Sequence, residues 1–267
     1  EIVEMNSSTL DLRGYRQIEE AVEAMPGATS GGSPADPSQF ATRGFVGNQV
    51  TLLRDGVYLG PANMITRPQN SFNVRSVDLL EGPSSVLYGQ GAVGGTVNVI
   101  TKPAVFDKIS YNGLVSHGSF NTYDLGAGAG GKINEQLAFR TDVSYYSSDG
   151  YVPGSDPHAL NGTGSLFWKL NNKFDIKFAL DILRDDLSNY YGTPFVSPSF
   201  GTDPLKGVLT ASSGDVLDAR MRYHDYNVHD ALTHSVSYMP NANLHWQPSP
   251  NVSISDEVYY FHAIAFR

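Results

Sequence analysis

Two hydrophobic periods divide the chain. From Ile109 onward, apolar and polar positions alternate in segments separated by Gly, Asn, Asp and Pro, the pattern of strands with one apolar face. Lys173–Ile182 is the clearest case: Phe174, Ile176, Phe178, Leu180 and Ile182 share one face, with Asp175, Lys177 and Asp181 on the other. In Gln136–Tyr146, Leu137, Phe139, Val143 and Tyr145 oppose Gln136, Arg140, Asp142 and Ser144. Leu166, Trp168 and Leu170 alternate with Phe167 and Lys169, and Ala242, Leu244 and Trp246 with Asn241, Asn243 and His245. Before Pro103 the pattern differs. Three short β-branched-rich runs, Val50–Leu53, Val74–Leu80 and Thr96–Ile100, predict strands of a small sheet. Ile18, Ala21, Val22 and Met25 recur at helical spacing and predict one amphipathic helix over Tyr15–Met25, ended by Pro26-Gly27. Gly82–Gly89 carries the Pro-start, Gly-stop signature of one or two helical turns. Thr29–Gln39, rich in Gly, Ser and Pro, reads as a flexible connector, and Glu1–Arg16 is polar with no defined pattern.

Alternation alone fits two architectures. In a soluble sandwich the apolar face is buried and the polar face meets water. In a transmembrane β-barrel the apolar face meets lipid and the polar face lines the lumen. Connection lengths favour the barrel: short turns at Ile133–Glu135, Asn171-Asn172 and Pro248–Asn251 alternate with a longer Gly150–Gly162 segment and a very long Asp185–Met239 one. Tyr145, Tyr146, Trp168, Trp246, Tyr259 and Tyr260 lie toward strand ends, where an interfacial aromatic girdle belongs. In Thr122–Lys132, Gly126, Gly128 and Gly130 share one face, which predicts close approach by another part of the chain. About seven strands are legible after Ile109, too few to close a barrel around a packed interior. The pattern therefore predicts the first part of a larger barrel, since an open sheet edge cannot be satisfied in lipid.

Composition narrows the function. The chain has 267 residues, a formal net charge of −9 and a pI near 5.1, which argues against a nucleic-acid partner. It has no Cys, so disulfides and zinc-thiolate sites are excluded. No apolar run is long enough for a spanning helix, which says nothing against a barrel. Seven His are scattered, and those in the long connection, His224, His229 and His234, read as solvated side chains, not metal ligands. Gly89–Gly94 matches the dinucleotide fingerprint by letter, but a strand follows it where a helix is required. No acid/base pair or activated nucleophile is recognisable, so no enzyme and no bound cofactor are expected.

Thr42-Arg43-Gly44, Leu53–Val57, Val74–Pro83 and Ser85–Gly89 with Gly94–Lys102 resemble, in order and spacing, the signature blocks of the plug domain of TonB-dependent outer-membrane transporters. One position departs from that pattern: Glu81 stands before Gly82-Pro83 where the family usually has a basic residue. The resemblance implies a small mixed α+β plug domain over residues 1–104. Residues 105–267 would be the first strands of a large antiparallel transmembrane β-barrel, of about 22 strands in all. It also implies a receptor in the Gram-negative outer membrane that takes up a ferric siderophore with energy from TonB. Iron would arrive as a chelate, and the partners would be the chelate, TonB and outer-membrane lipid.

The same resemblance places two plug loops at the outer face. They hold Phe45, Asn48, Gln49, Tyr58, Asn63, Met64, Arg67 and Gln69, with Tyr190 and Tyr191 at the base of the long outer connection. An aromatic, an arginine and several amides suit a bulky, oxygen-rich, partly anionic ligand. Arg67 and the amides fit equally well a role in bonding plug to barrel. Arg43, Asp55, Asp78 and Glu81 are the charged residues expected to brace the plug against the wall. Two alternatives stand beside this reading. One is the same architecture with another cargo: haem, cobalamin, a nickel chelate or an oligosaccharide. The other is a soluble β-rich binding or structural protein.

Overall fold

The computed structural model describes residues 2–30, 40–61, 67, 69–83, 92–188, 190, 192–205, 211–226 and 232–266. The chain opens on β1 (Ile2–Asn6), α1 (Ser7–Arg13) and α2 (Ile18–Glu23). Next come β2 (Ala28–Ser30), β3 (Phe40–Thr42), β4 (Phe45–Val46), β5 (Val50–Arg54), β6 (Val57–Pro61), β7 (Val74–Glu81) and β8 (Gly95–Thr101). Five of these strands form one sheet in the order β1-β7-β8-β5-β6, while β2, β3 and β4 form a second, smaller one. Only β5 and β8 pair in parallel within the larger sheet; the other pairs are antiparallel. The three predicted strands are the three central ones.

Leu10 of α1 and Ile18, Ala21 and Val22 of α2 pack on Val50, Leu52, Val74, Val77, Leu79, Val97 and Val99 to make the core of this unit. Full burial of each such aliphatic side chain contributes roughly 1.5–3 kcal/mol. The first sixteen residues are more ordered than their polarity predicted. β1 is recruited by pairing with β7, from Ile2 opposite Leu80 to Asn6 opposite Ser76. Asn6 then caps α1, accepting the Thr9 amide at 2.9 Å, and Gly14 closes it at φ 73°. The predicted Tyr15–Met25 helix is shorter, because Glu20 reaches back to accept the Gln17 amide at 3.1 Å and fixes the start. Residues 84–89 of the helical turn predicted over Gly82–Gly89 and most of the Thr29–Gln39 connector lie outside the described residues.

Beyond Pro103 the chain forms a curved antiparallel wall: β9 (Ser110–Gly118), β10 (Thr122–Lys132), β11 (Leu137–Ser147), β12 (His158–Asn171), β13 (Phe174–Ser188) and β14 (Leu232–Ser249). β15 (Val252–Tyr259) and β16 (His262–Phe266) both pair with β14 as one interrupted lane. The interruption lies opposite Pro240, whose carbonyl accepts the Tyr260 amide at 3.0 Å. Proline has no N–H to offer the neighbouring lane, so the pairing is offset there. The long connections are shorter than predicted: β12 starts at His158, β13 runs on to Ser188, and β14 begins at Leu232.

The wall is inverted relative to a soluble sandwich. Asp142 and Asp185 are fully buried on its inner face, while Val143 and Ile182 are 48% and 44% exposed on its outer face. Leu125, Leu166, Phe178, Leu180, Trp168, Trp246, Tyr145 and Tyr238 extend that apolar outer surface. Polar inside and apolar outside is the pattern of a lipid-facing barrel wall. Trp168 and Trp246 lie near the short turns and Tyr145, Tyr238 and Tyr260 toward the other end. Tyr145 and Leu137, whose partner is Trp168, are eight residues apart on β11. At about 3.4 Å per residue and with strand tilt, the rows stand roughly 20–27 Å apart. Two girdle residues are corrected. Tyr146 lies on the inner face with Ser144, and Tyr259, opposite the buried Asn241, also lies on the inner side.

Candidate functional site

The N-terminal unit sits against the inner face of this wall, and the seam between them is built from charge and hydrogen bonds. Arg54, at the end of the apolar strand β5 and only 4% exposed, places Nε 2.5 Å from Asp181 of β13. Its Nη1 donates to Gln69 at 2.8 Å. The other oxygen of Asp181 accepts from Asn161 of β12 at 2.8 Å. Four residues along β13, and so on the same face, Asp185 pairs with Arg67, which also donates to the Thr233 carbonyl at 3.3 Å. Two wall carboxylates thus meet two cations, one from the end of β5 and one from the β6–β7 connection.

The segment Asn70–Asn73 forms the second half of the seam. Asn70 donates to Asp124 at 3.2 Å, and Ser71–Asn73 makes a 3-10 turn whose amide the Asn70 side chain caps at 2.7 Å. Asn73, wholly buried, donates through Nδ2 toward the Asp142 carbonyl, the Asn161 carbonyl and the Thr163 hydroxyl at 3.2–3.3 Å. Phe72 between them lies over Gly126: a Cβ there would stand 2.7 Å from the ring. The close approach predicted from the glycine row is therefore real at Gly126. At Gly130 the space is filled by Arg140, and at Gly128 by Asp142 and Asn112 together with the Arg140 guanidinium, which pairs with Asp142 and donates to Asn112 at 2.6 Å. Lys102 closes the seam below, with Nζ on the Phe72 carbonyl and 4.5 Å from the ring centre. Burial holds that lysine below its ordinary range.

Of the ligand candidates, Phe45 and Tyr58 stand exposed on the N-terminal unit, and Gln49 is turned back to accept the Val46 amide at 3.2 Å. Asn48 has its backbone in the 3-10 turn Gly47–Gln49. Arg67 and Gln69 are engaged in the seam, on Asp185 and Arg54. Tyr190 is buried, with its ring edge-on to Tyr151 at 5.9 Å. Asn63, Met64 and Tyr191 lie outside the described residues. The four bracing candidates have their hydrogen-bond and ion-pair partners inside the N-terminal unit, among the described residues. Arg43 and Glu81 pair with each other at 2.5 Å. Asp55, at φ 52°, holds the Thr101 amide and hydroxyl at 2.7 and 2.8 Å. Asp78 lies on β7, where burial pushes its carboxyl above the usual range. Among the described residues, Arg54, Arg67, Asn70 and Asn73 bond to the wall and Phe72 packs on it.

The histidines also differ from expectation. His158, Asp186 and His234 stand in register across β12, β13 and β14, with the carboxylate 2.7 and 2.5 Å from the two rings. His245 pairs with Asp175 at 3.0 Å. These are strand residues bound to wall carboxylates. Among the described residues no group of three His, Asp or Glu converges to hold a metal ion.

A small mixed sheet lodged by polar contacts inside a curved antiparallel wall is matched by sequence as well as shape. Residues 2–96 match the family described as TonB-dependent Receptor Plug Domain. The N-terminal unit is a TonB-dependent receptor plug. The chain is 25% identical over 201 residues to the Metal-pseudopaline receptor CntO of Pseudomonas aeruginosa, covering 71% of this chain and 28% of that protein. It is 24% identical over 254 residues to the Ferric aerobactin receptor of Escherichia coli, covering 80% and 33%. The siderophore receptor PiuA from Acinetobacter baumannii superposes with a TM-score of 0.80 at 18% identity, over 99% of this chain and 36% of that one. The chain thus spans about a third of the length of these relatives. Its fold is that of the plug and the first barrel strands of such receptors.

Proposed function

We propose that this chain is the plug and first part of the barrel of an outer-membrane receptor that takes up a ferric siderophore by TonB-driven movement of the plug. The observation that carries the reading is the seam. A domain meant to stay fixed would bury apolar surface against its barrel. Beside the single Phe72 ring over Gly126, the bonds described between this plug and the wall are polar: Arg54–Asp181, Arg67–Asp185 and the Asn70 and Asn73 amides. Such contacts can be exchanged for water when the plug is pulled and remade when it returns. The exposed apolar outer face supports insertion in the outer membrane and weighs against a soluble β-rich protein. The relatives named for pseudopaline and aerobactin support a metal chelate as cargo. No covalent chemistry is asked of the protein; the work is gating.

The test is direct binding. The full-length receptor in detergent is titrated calorimetrically with ferric hydroxamate, catecholate and carboxylate siderophores, and with haem and cobalamin. Saturable sub-micromolar binding of one ferric chelate is the expected result. Binding of haem or cobalamin with no response to any ferric chelate would keep the architecture and discard the iron assignment.

A further inference from the structure

Three cavities follow one another between the plug and the inner face of β13 and β14, with volumes of about 190, 10 and 150 Å³. On β13, where alternate residues face inward, the first touches Leu183 and Asp181, the second Asp181 and Ala179, and the third Ala179 and Lys177. On β14 the same order runs from Ser237 and Met239, through Met239 and Asn241, to Asn241 and Asn243. Each cavity shares wall residues with the next, so the three make one slot, pinched in the middle. Resting on the uptake reading, we propose that plug and wall part along this slot, that the cargo passes beside β13 and β14, and that Arg54–Asp181 is the gate.

The pinch is made by the β5–β6 turn of the plug. Arg54 lines the first cavity, and its partner Asp181 lies where the first meets the second. Asp55, the next residue, lines the second and third. It holds the Thr101 amide and hydroxyl, and the Gly56 amide donates to Asn98 at 3.1 Å, so the turn is fixed to the plug and moves with it. At about 10 Å³ the middle cavity has room for about one water, and a chelate passes only after Arg54 leaves Asp181. The other flank is docked closely. Asn70 bonds β10, Phe72 lies over Gly126, and Asn73 bonds β11 and β12. Parting there would strip all these contacts together. Parting along the slot breaks Arg54–Asp181 and, beside it, Arg67–Asp185.

The experiment uses the full-length receptor in detergent and needs no cargo. In a cysteine-free background one cysteine is introduced, as Met239→Cys at the pinch or Ser144→Cys on the docked flank, both buried positions. Reaction with 2-sulfonatoethyl methanethiosulfonate is timed against urea, with and without Asp181→Ala. Parting along the slot exposes little surface and release of the whole plug exposes much, so the two events differ in urea dependence. Met239→Cys should react with little dependence on urea, and at least about ten-fold faster once Asp181→Ala is added. Ser144→Cys should react only as urea releases the plug. Asn241→Cys, at the other side of the pinch, should behave like Met239→Cys, which excludes a packing defect at one position. Equal urea dependence on the two flanks, earlier exposure of Ser144→Cys, or no acceleration by Asp181→Ala would overturn the proposal. Any of these would leave the uptake reading standing, since binding and TonB-dependent transport test that separately.

Discussion

Removing Asp181 should loosen the plug more than any other single change in the wall. Asp181→Ala leaves the Arg54 guanidinium, 4% exposed, without its carboxylate and with the Gln69 side-chain oxygen as its remaining hydrogen-bond partner. It also removes one of the two acceptors of the Asn161 side chain, whose residue shares the Asn73 contact. Breaking a buried pair by deleting one partner costs about 3–5 kcal/mol, because the surviving charge stays desolvated. That corresponds to a shift of roughly two to three and a half decades in the equilibrium between docked and released plug. Replacing both partners with apolar residues, Arg54→Met with Asp181→Leu, removes the stranded charge and should return to within about 1 kcal/mol of the parent. The assay is conductance of the full-length receptor in planar bilayers against urea, since plug release opens the lumen. Asp181→Ala should open at much lower urea than the parent, and the double variant near it. The exposed Lys132–Glu135 pair supplies the control, because surface pairs contribute little. If Asp181→Ala behaves like Lys132→Ala, the seam does not hold the plug and the reasoning fails.

Other expectations follow from the same contacts. Gly126→Val drives a side chain into the Phe72 ring and should open the plug in the same assay, with Phe72→Ala restoring closure in the double variant. Loss of closure that Phe72→Ala does not rescue would point to damage within the wall. Asn73→Ala removes the donor shared among three wall acceptors and should cost about 1–3 kcal/mol of docking, read as faster hydrogen exchange in β7. Unchanged exchange would contradict it. Asp218 accepts the Thr202, Asp203 and Arg220 amides at 2.5, 3.0 and 2.9 Å, and these hold its carboxyl down to about 2. Its folded pKa lies below the unfolded value of about 3.9, so its contribution is complete above that value and is lost as pH falls toward 2. Proteolysis of the 192–226 connection should stay constant from neutral pH to about 5 in the parent, and be higher by a constant factor over that range in Asp218→Ala. Equal cleavage of the two proteins would refute the role.

What could be read from the sequence was what local pattern encodes. The strands of the plug sheet showed because Val50–Leu53, Val74–Leu80 and Thr96–Ile100 are apolar runs with sharp boundaries. The wall showed because Phe174–Ile182 alternates strictly. Gly126 announced a close neighbour without naming Phe72. β1 and α1 did not show, because one is held by cross-strand pairing with β7 and the other by a single cap and the burial of Leu10. The seam was the hardest part. Arg54 ends a strand and pairs with a residue 127 positions later, and Asn73 bonds two wall strands, β11 and β12, at once. Nothing local distinguishes Arg54 and Asn73 from Arg43 or Asp55, whose own partners lie within the plug. Tyr146 and Tyr259 were misplaced for a related reason: an aromatic near a strand end fits the girdle or the lumen, and register alone decides.

Transport separates a gated receptor from a passive pore. The full-length receptor is expressed in cells lacking their own siderophore receptors, with and without TonB, and uptake of the radiolabelled ferric chelate identified by titration is followed. Saturable uptake that disappears without TonB, while surface binding of the chelate remains, is the predicted result. Equal uptake in both strains would make the barrel a passive pore and contradict a plug held in place until it is pulled.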